Sequence, residues 1–395
     1  MNRFFFVLLA PMFLLLLILS GCEKNDIHPQ EVYACTGNMD DPSATHPRAD
    51  FYQKVLDDNR RDGLVGGVLL VEDADGLWMG ATGQADLASG VEMQPCNVFL
   101  IASISKVFTS AAVYRYVDRG LLSLDDPINR WIDRSITDQV NNANEATVAH
   151  LLAHTSGIAD YYTTALELDR LNRVSNAWTK EEVLAYTYGV KATNGVGETY
   201  FYSNTNFLLL AMILEKAGGK SFAQIYREEV FEPLNLTSAY YSETQPIPEG
   251  MVKGYVEIYG NGQMVESEFL YGDELGIGGD GGVAINAYDL AVFLRSLAQG
   301  QLISEASWNK MTDWFDLPAD YVWEDYGQEQ NGYGIERFNT RYGSAIGHTG
   351  GIDGFSTFAY HFPDSDRSYV LLLNSSINAR PDTSIFNAVL PELFR

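Results

Sequence analysis

The sequence predicts an α/β (α+β) fold, with one antiparallel sheet formed by N- and C-terminal strands and flanked by helices. A mostly helical lobe is inserted between the two sets of strands. Three observations predict this. β-rich apolar runs cluster near residues 65–83 and again beyond residue 332. Between them, from about 124 to 249, apolar residues recur at helical spacing. No internal repeat indicates a solenoid.

The elements follow in chain order. Residues 49–61 have the spacing of an amphipathic helix. Runs at 65–72 and 77–83 flank Asp75-Gly76 and predict a hairpin. Residues 103–119 are helical in pattern and stop at Gly120. In the middle, helices are expected at 148–154, 180–188, 207–217 and 222–230, and then at 287–298 before Gly300. Strands are expected at 332–338, 355–361 and 368–374, and a last helix at 384–390 ended by Pro391.

The chain has 395 residues, long enough for a large core. Lys plus Arg number 26 against 52 Asp plus Glu, a formal charge of −26. A polyphosphate is repelled by that field, so nucleic acid is excluded as a partner. Residues 1–21 carry one early cation, Arg3, and an apolar run from Phe4 to Leu19. The run is shorter than the roughly 20 residues that cross a bilayer, so it reads as a signal peptide. Leu19-Ser20-Gly21-Cys22 resembles the lipobox of bacterial lipoproteins, which implies lipidation of Cys22 and cleavage before it. Residues 22–48 then form a polar tether, and 49–395 the folded domain. Glu23, by the same likeness, favours the outer membrane. The expected location is the bacterial cell envelope, where Cys35 and Cys96 either pair or remain separate thiols.

Three signatures fail. Gly354-Phe355-Ser356 lacks the closing Gly of a nucleophile elbow. His150 and His154 have i, i+4 spacing, but Leu151 stands where a zinc protease needs Glu, and no third ligand is evident. Gly276, Gly278 and Gly281 match a dinucleotide fingerprint without a preceding strand or a following acid for the ribose. No metal or cofactor is expected.

Ser103-Ile104-Ser105-Lys106 opens a helix and sets a hydroxyl and an amine on one face. Serine is a poor nucleophile until a neighbour takes its proton, and a lysine of lowered pKa can do so. Tyr202-Ser203-Asn204 offers a phenol to relay a proton and an amide to hold a carbonyl. His348-Thr349-Gly350-Gly351 provides glycines that let a substrate backbone approach a sheet edge.

These three elements, in this order, resemble the active-site motifs of the serine β-lactamase and penicillin-binding-protein superfamily. The Tyr-x-Asn form is similar to its class C branch, which includes D-alanyl-D-alanine carboxypeptidases, D-aminopeptidases and esterases. HLLAHTSGI at 150–158, GGDGGVAINAYDLAVFLRSL at 278–297, YGIERF at 333–338 and GHTGGIDGFSTFAYHFPDSD at 347–366 extend the likeness. It implies that Ser103 is the acylated nucleophile, Lys106 its activator and Tyr202 the proton shuttle. Asn204, His348, Thr349 and Gly350 would then bind substrate, and the N–H groups of Ser103 and Gly351 would form the oxyanion hole. His348 departs from the Lys of true class C β-lactamases, and a neutral imidazole offers a carboxylate less positive potential.

The expected function is acyl-enzyme hydrolysis of D-alanyl peptides, as in a D-Ala-D-Ala carboxypeptidase. The substrate would be a small peptide, a peptidoglycan-like peptide or an ester. A β-lactamase, a small-molecule esterase or a D-aminopeptidase are the enzymatic alternatives. A penicillin-binding sensor or scaffold without turnover is the non-enzymatic one.

Overall fold

The computed structural model describes residues 45–60, 64–173, 178–241, 250–267, 278–319, 328–376 and 381–395. The signal sequence, Cys22, Cys35, Gly276 and the tether up to residue 44 lie outside the described residues. Cys96 is disulfide-bonded, to a partner outside them.

The strands are β1 (Gly66–Asp73), β2 (Gly76–Asp86), β3 (Val91–Glu92), β4 (Phe99–Leu100), β5 (Tyr255–Glu257), β6 (Met264–Glu266) and β7 (Ala284–Ile285). They continue with β8 (Phe315–Asp316), β9 (Gln328–Asn331), β10 (Glu336–Thr340), β11 (Gly343–Ile352), β12 (Phe355–Phe362) and β13 (Arg367–Leu373). Nine of them form the main sheet in the order β3-β2-β1-β13-β12-β11-β10-β9-β8, joined by antiparallel pairs. β1, from the N-terminal part of the chain, and β13, from its C-terminal part, thus pair inside the sheet, with Leu70 opposite Val370. The expected architecture is the observed one.

The helices used below are α1 (Ala49–Asn59), α2 (Ser105–Asp118), α3 (Val148–Leu152), α4 (Asn204–Gly218), α5 (Ala287–Ala298) and α6 (Pro381–Leu393). α1 and α6 cover one face of the sheet through Tyr52, Leu56, Ile385, Phe386 and Val389, packed against Leu69, Val71 and Leu371. Val68, Leu70, Val370 and Leu372 point the other way, into a core shared with α2, α4 and α5. A strand buried on both faces needs an unbroken apolar run rather than alternation, which accounts for the sequence of β1.

Packing already begins at His46, which is buried and bonded to Asp73 at 3.1 Å. Arg48 reaches the same carboxylate at 2.5 Å. The last residues assigned to the tether therefore clamp the β1–β2 hairpin.

Four expectations are corrected. Residues 332–335 form a turn, not a strand, because Gly334 adopts φ +89° where its α-carbon faces Ser110. Pro391 lies inside the last helix, which continues to Leu393. So near a C-terminus, a missing N–H removes little of the helix ladder. Ser103 precedes α2, in a 3₁₀ turn spanning Ala102–Ile104. β11, which carries the His348 segment, is an interior strand and not the sheet edge.

Candidate active site

The nucleophile turn is held by its neighbours. Ala102 sits at φ +47°, a left-handed conformation that costs a non-glycine residue about 1–3 kcal/mol. Ile101 N–H bonds the Val283 carbonyl, and Ser105 Oγ accepts from Val283 N–H. Ser105, the second serine of the motif, is thereby used in the scaffold. Gly350 of β11 lies so close to this turn that a Cβ would stand 2.2 Å from the Ile101 carbonyl. That glycine lets β11 pack directly on the segment bearing Ser103. A Cβ on Gly351 would meet nothing within 4 Å.

Lys106, one turn into α2, is only 1% exposed. Its Nζ lies 3.1 Å from Ser103 Oγ, 2.9 Å from Asn204 Oδ1 and 2.9 Å from the Asp280 carbonyl. Burial lowers its pKa to about 8, against the opposing pull of Asp280, Asp160 and Glu336. Gly279 allows the Asp280 carbonyl to reach it. A Cβ there would meet Thr109 Oγ1 at 2.7 Å and the Phe207 carbonyl at 2.8 Å. Gly278, against Leu208, and Gly279, against Thr109 and Phe207, thus lie on α4 and α2.

Tyr202 donates its O–H to Ser103 Oγ at 3.0 Å. Burial raises the phenol well above its ordinary value, which the Ser103 bond only partly offsets. Its ring stacks on His154, with centroids 4.5 Å apart. His154 Nδ1 accepts from Ser203 N–H at 3.1 Å, and burial keeps the imidazole neutral. His150 instead uses Nδ1 to accept from Thr147 N–H, capping α3. The two histidines thus serve separate structural tasks.

Asn204 gives its Oδ1 to Lys106, while its Nδ2 donates to Asp160 Oδ2 at 3.1 Å. One lone pair and one N–H remain to meet a substrate amide. Burial pushes the Asp160 carboxyl up, and nearby Asp280 adds to this.

His348 is 5% exposed, with its ring 6.4 Å from that of Tyr202. Burial, reinforced by Lys106, lowers its pKa to about 3. Nδ1 bonds the Thr349 carbonyl, and Nε2 lies 3.3 Å from Glu336 Oε1. Burial pushes Glu336 up to about 7, opposed by the Thr349 N–H and Lys106. β10 pairs with β11 only as far as Glu336 opposite Gly347. Beyond that point β11 pairs on one side alone, with β12, among the described residues. A local edge therefore opens next to Ser103, although β11 is an interior strand.

Structure thus brings Ser103, Lys106, Tyr202 and Asn204 into one hydrogen-bonded cluster, with His348 and Thr349 beside it. Residues 49–390 match the family model described as Beta-lactamase. The chain belongs to the beta-lactamase family of serine hydrolases.

Among relatives in this family, the chain is 28% identical over 350 residues to penicillin-binding protein 4* of Bacillus subtilis (strain 168). That match covers 83% of this chain and 72% of that protein. It is 27% identical over 181 residues to the D-alanyl-D-alanine-carboxypeptidase/endopeptidase AmpH of Escherichia coli (strain K12), 46% of each chain. The matched stretch is thus less than half of AmpH. A D-stereospecific amidohydrolase from Streptomyces sp. superimposes with a TM-score of 0.75 at 25% identity, over 85% of this chain and 97% of that one.

Asp160, Asp280, Glu336 and His154 were not among the candidate site residues. Asp280 and Glu336 stand inside the GGDGG and YGIERF segments, so a signal for them existed. Asp160 had none, because a lone acid after a Gly-Ile-Ala stretch looks like any turn residue.

Proposed function

We propose that this chain hydrolyses D-alanyl peptides through an acyl-enzyme on Ser103. The observation that carries the reading is the double contact of Ser103 Oγ, with Lys106 Nζ at 3.1 Å and the Tyr202 phenol at 3.0 Å. Neutral Lys106 donates to Asn204 and Asp280 and directs its remaining lone pair at the Ser103 hydroxyl. As Oγ attacks the substrate carbonyl carbon, its proton passes to Lys106. The carbonyl oxygen gathers negative charge between the N–H groups of Ser103 and Gly351. Tyr202 delivers a proton to the departing amine and is reprotonated from Lys106. Water then attacks the ester, giving its proton back along the same route, and the acid leaves.

The edge of β11 beyond Thr349, whose N–H and carbonyl already serve Glu336 and His348, supports an extended peptide substrate, since the backbone of Gly351 is open there. The name of the Escherichia coli relative, a D-alanyl-D-alanine-carboxypeptidase/endopeptidase, supports the D-alanyl assignment. A second reading, an esterase or D-aminopeptidase, is favoured by the neutral His348 and by the three carboxylates that act on Lys106. Cys22 lipidation, an outer-membrane anchor in the envelope and a Cys35–Cys96 bridge complete the proposal. Mass analysis of the N-terminal peptide tests the anchor. Release of D-alanine from an acyl-D-alanyl-D-alanine peptide tests the activity; ester cleavage without it would favour the second reading.

A further inference from the structure

Beside the nucleophile lies a pair that the mechanism above does not use. His348 Nδ1 faces the Thr349 carbonyl, which can only accept, so Nδ1 carries a proton. In the neutral ring Nε2 is then a bare lone pair, and it faces Glu336 Oε1 at 3.3 Å. Two lone pairs repel at that distance. The contact requires one proton between nitrogen and oxygen, and the pair then has no net charge. Losing it leaves one negative charge close to Ser103.

We propose that Glu336 and His348 form a charge filter: sharing a proton they admit a substrate carboxylate, and without it they repel one. This rests on the acyl-enzyme reading of Ser103 and adds a rule for the leaving group. Glu336 is a specificity-determining residue, and His348 is the group it holds.

The surrounding charges fix the direction. Lys106 from α2 acts on both members of the pair. His154, after α3, interacts electrostatically with His348 and stays neutral. Tyr202 feels Glu336, Asp280 and Asp160, and also stays neutral. Where Lys106 is charged it favours release of the shared proton, and the burial of Glu336 opposes that release. Burial sets Glu336 to lose it at about 7. Below that pH the wall is neutral; above it the wall is anionic.

The test compares two peptides that differ only in that charge, an acyl-D-alanyl-D-alanine acid and its C-terminal amide. Both depend on Lys106 alike, so the ratio of their kcat/KM values cancels its titration. For the full-length chain the acid-to-amide ratio should fall roughly tenfold as pH rises through 7, the effect of one added charge at close range. Glu336→Gln should hold the ratio flat at its low-pH value, because the amide N–H donates to Nε2 as the acid did and never ionises. Glu336→Ala, which cannot hold the imidazole, should lower kcat/KM for both peptides, and Gln should restore it. A flat ratio in the unmodified chain, or a slope that survives Glu336→Gln, overturns the proposal. If the Gln variant fails to fold, the unmodified chain's slope still decides. If neither peptide is cleaved, the D-alanyl reading fails separately. The same ratio is then read with 4-carboxyphenyl and phenyl acetate.

Discussion

Lys106 Nζ sits 3.1 Å from Ser103 Oγ, and its two other partners, the side-chain oxygen of Asn204 and the backbone oxygen of Asp280, can only accept hydrogen bonds. A neutral lysine in this position has both of its protons engaged elsewhere. Its lone pair has one direction left, toward the serine. The base is thus oriented by the carbonyls behind it.

Replacing Lys106 by Met keeps an apolar stem of similar length in a buried position and removes the base. Acylation of Ser103 by a p-nitrophenyl ester should slow by roughly 10²–10⁴. Circular dichroism and melting report whether the fold survives. Unchanged ester turnover in a folded variant would remove Lys106 from its role.

The same group sets the pH profile. Since burial lowers its pKa to about 8, the free amine grows as pH rises through that value. For an uncharged ester, kcat/KM should climb about tenfold per pH unit below 8 and level off above it. A plateau already reached at pH 6 would mean that another group takes the proton.

Tyr202→Phe retains the ring stacked on His154 but removes the proton donor. Turnover of amides should fall more than turnover of activated esters, whose phenolate leaves without help. Equal losses for both would indicate that the phenol only positions Ser103.

At the opposite end of the fold, Arg48 and His46 close on Asp73, whose side chain is fully buried. Burial alone would raise that carboxyl, yet the Asp75 N–H, Arg48 and His46 hold it below its ordinary value. Its contribution is complete above the carboxylate range of the unfolded chain and is lost as pH falls through the lowered value. Arg48→Met leaves a buried charge short of its guanidinium partner and should cost about 3–5 kcal/mol. Denaturant melts at pH 7 measure this directly, and a change within error would show the clamp to be dispensable. A chain begun at Ala49, which lacks His46 as well, should lose at least as much.

Much of this is legible in the sequence alone. Val68 to Val71 spells a strand buried on both faces, and Ser103, Lys106 and Tyr202 declare themselves by residue type and order. Other features depend on contacts distant in sequence. Gly350 is needed because Ile101 lies against it, and nothing within a run of His-Thr-Gly-Gly states that. Glu336 reads as a surface acid on a short strand until His348, twelve residues later, is seen at its side. Pro391 looked like a stop signal because the rule is local, whereas α6 is held by the sheet beneath it.

The central claim is that Ser103 becomes acylated, and a β-lactam tests it most directly. Its strained amide is open to attack by Ser103, while the ring remnant stays attached and obstructs the hydrolytic water. Slow acylation and a persistent adduct are expected. After incubation with benzylpenicillin, intact mass should rise by the mass of the drug, and peptide mapping should place the addition on Ser103. Ser103→Ala should show no increase. An adduct on another residue, or ester and peptide hydrolysis that persists in Ser103→Ala, would contradict the account.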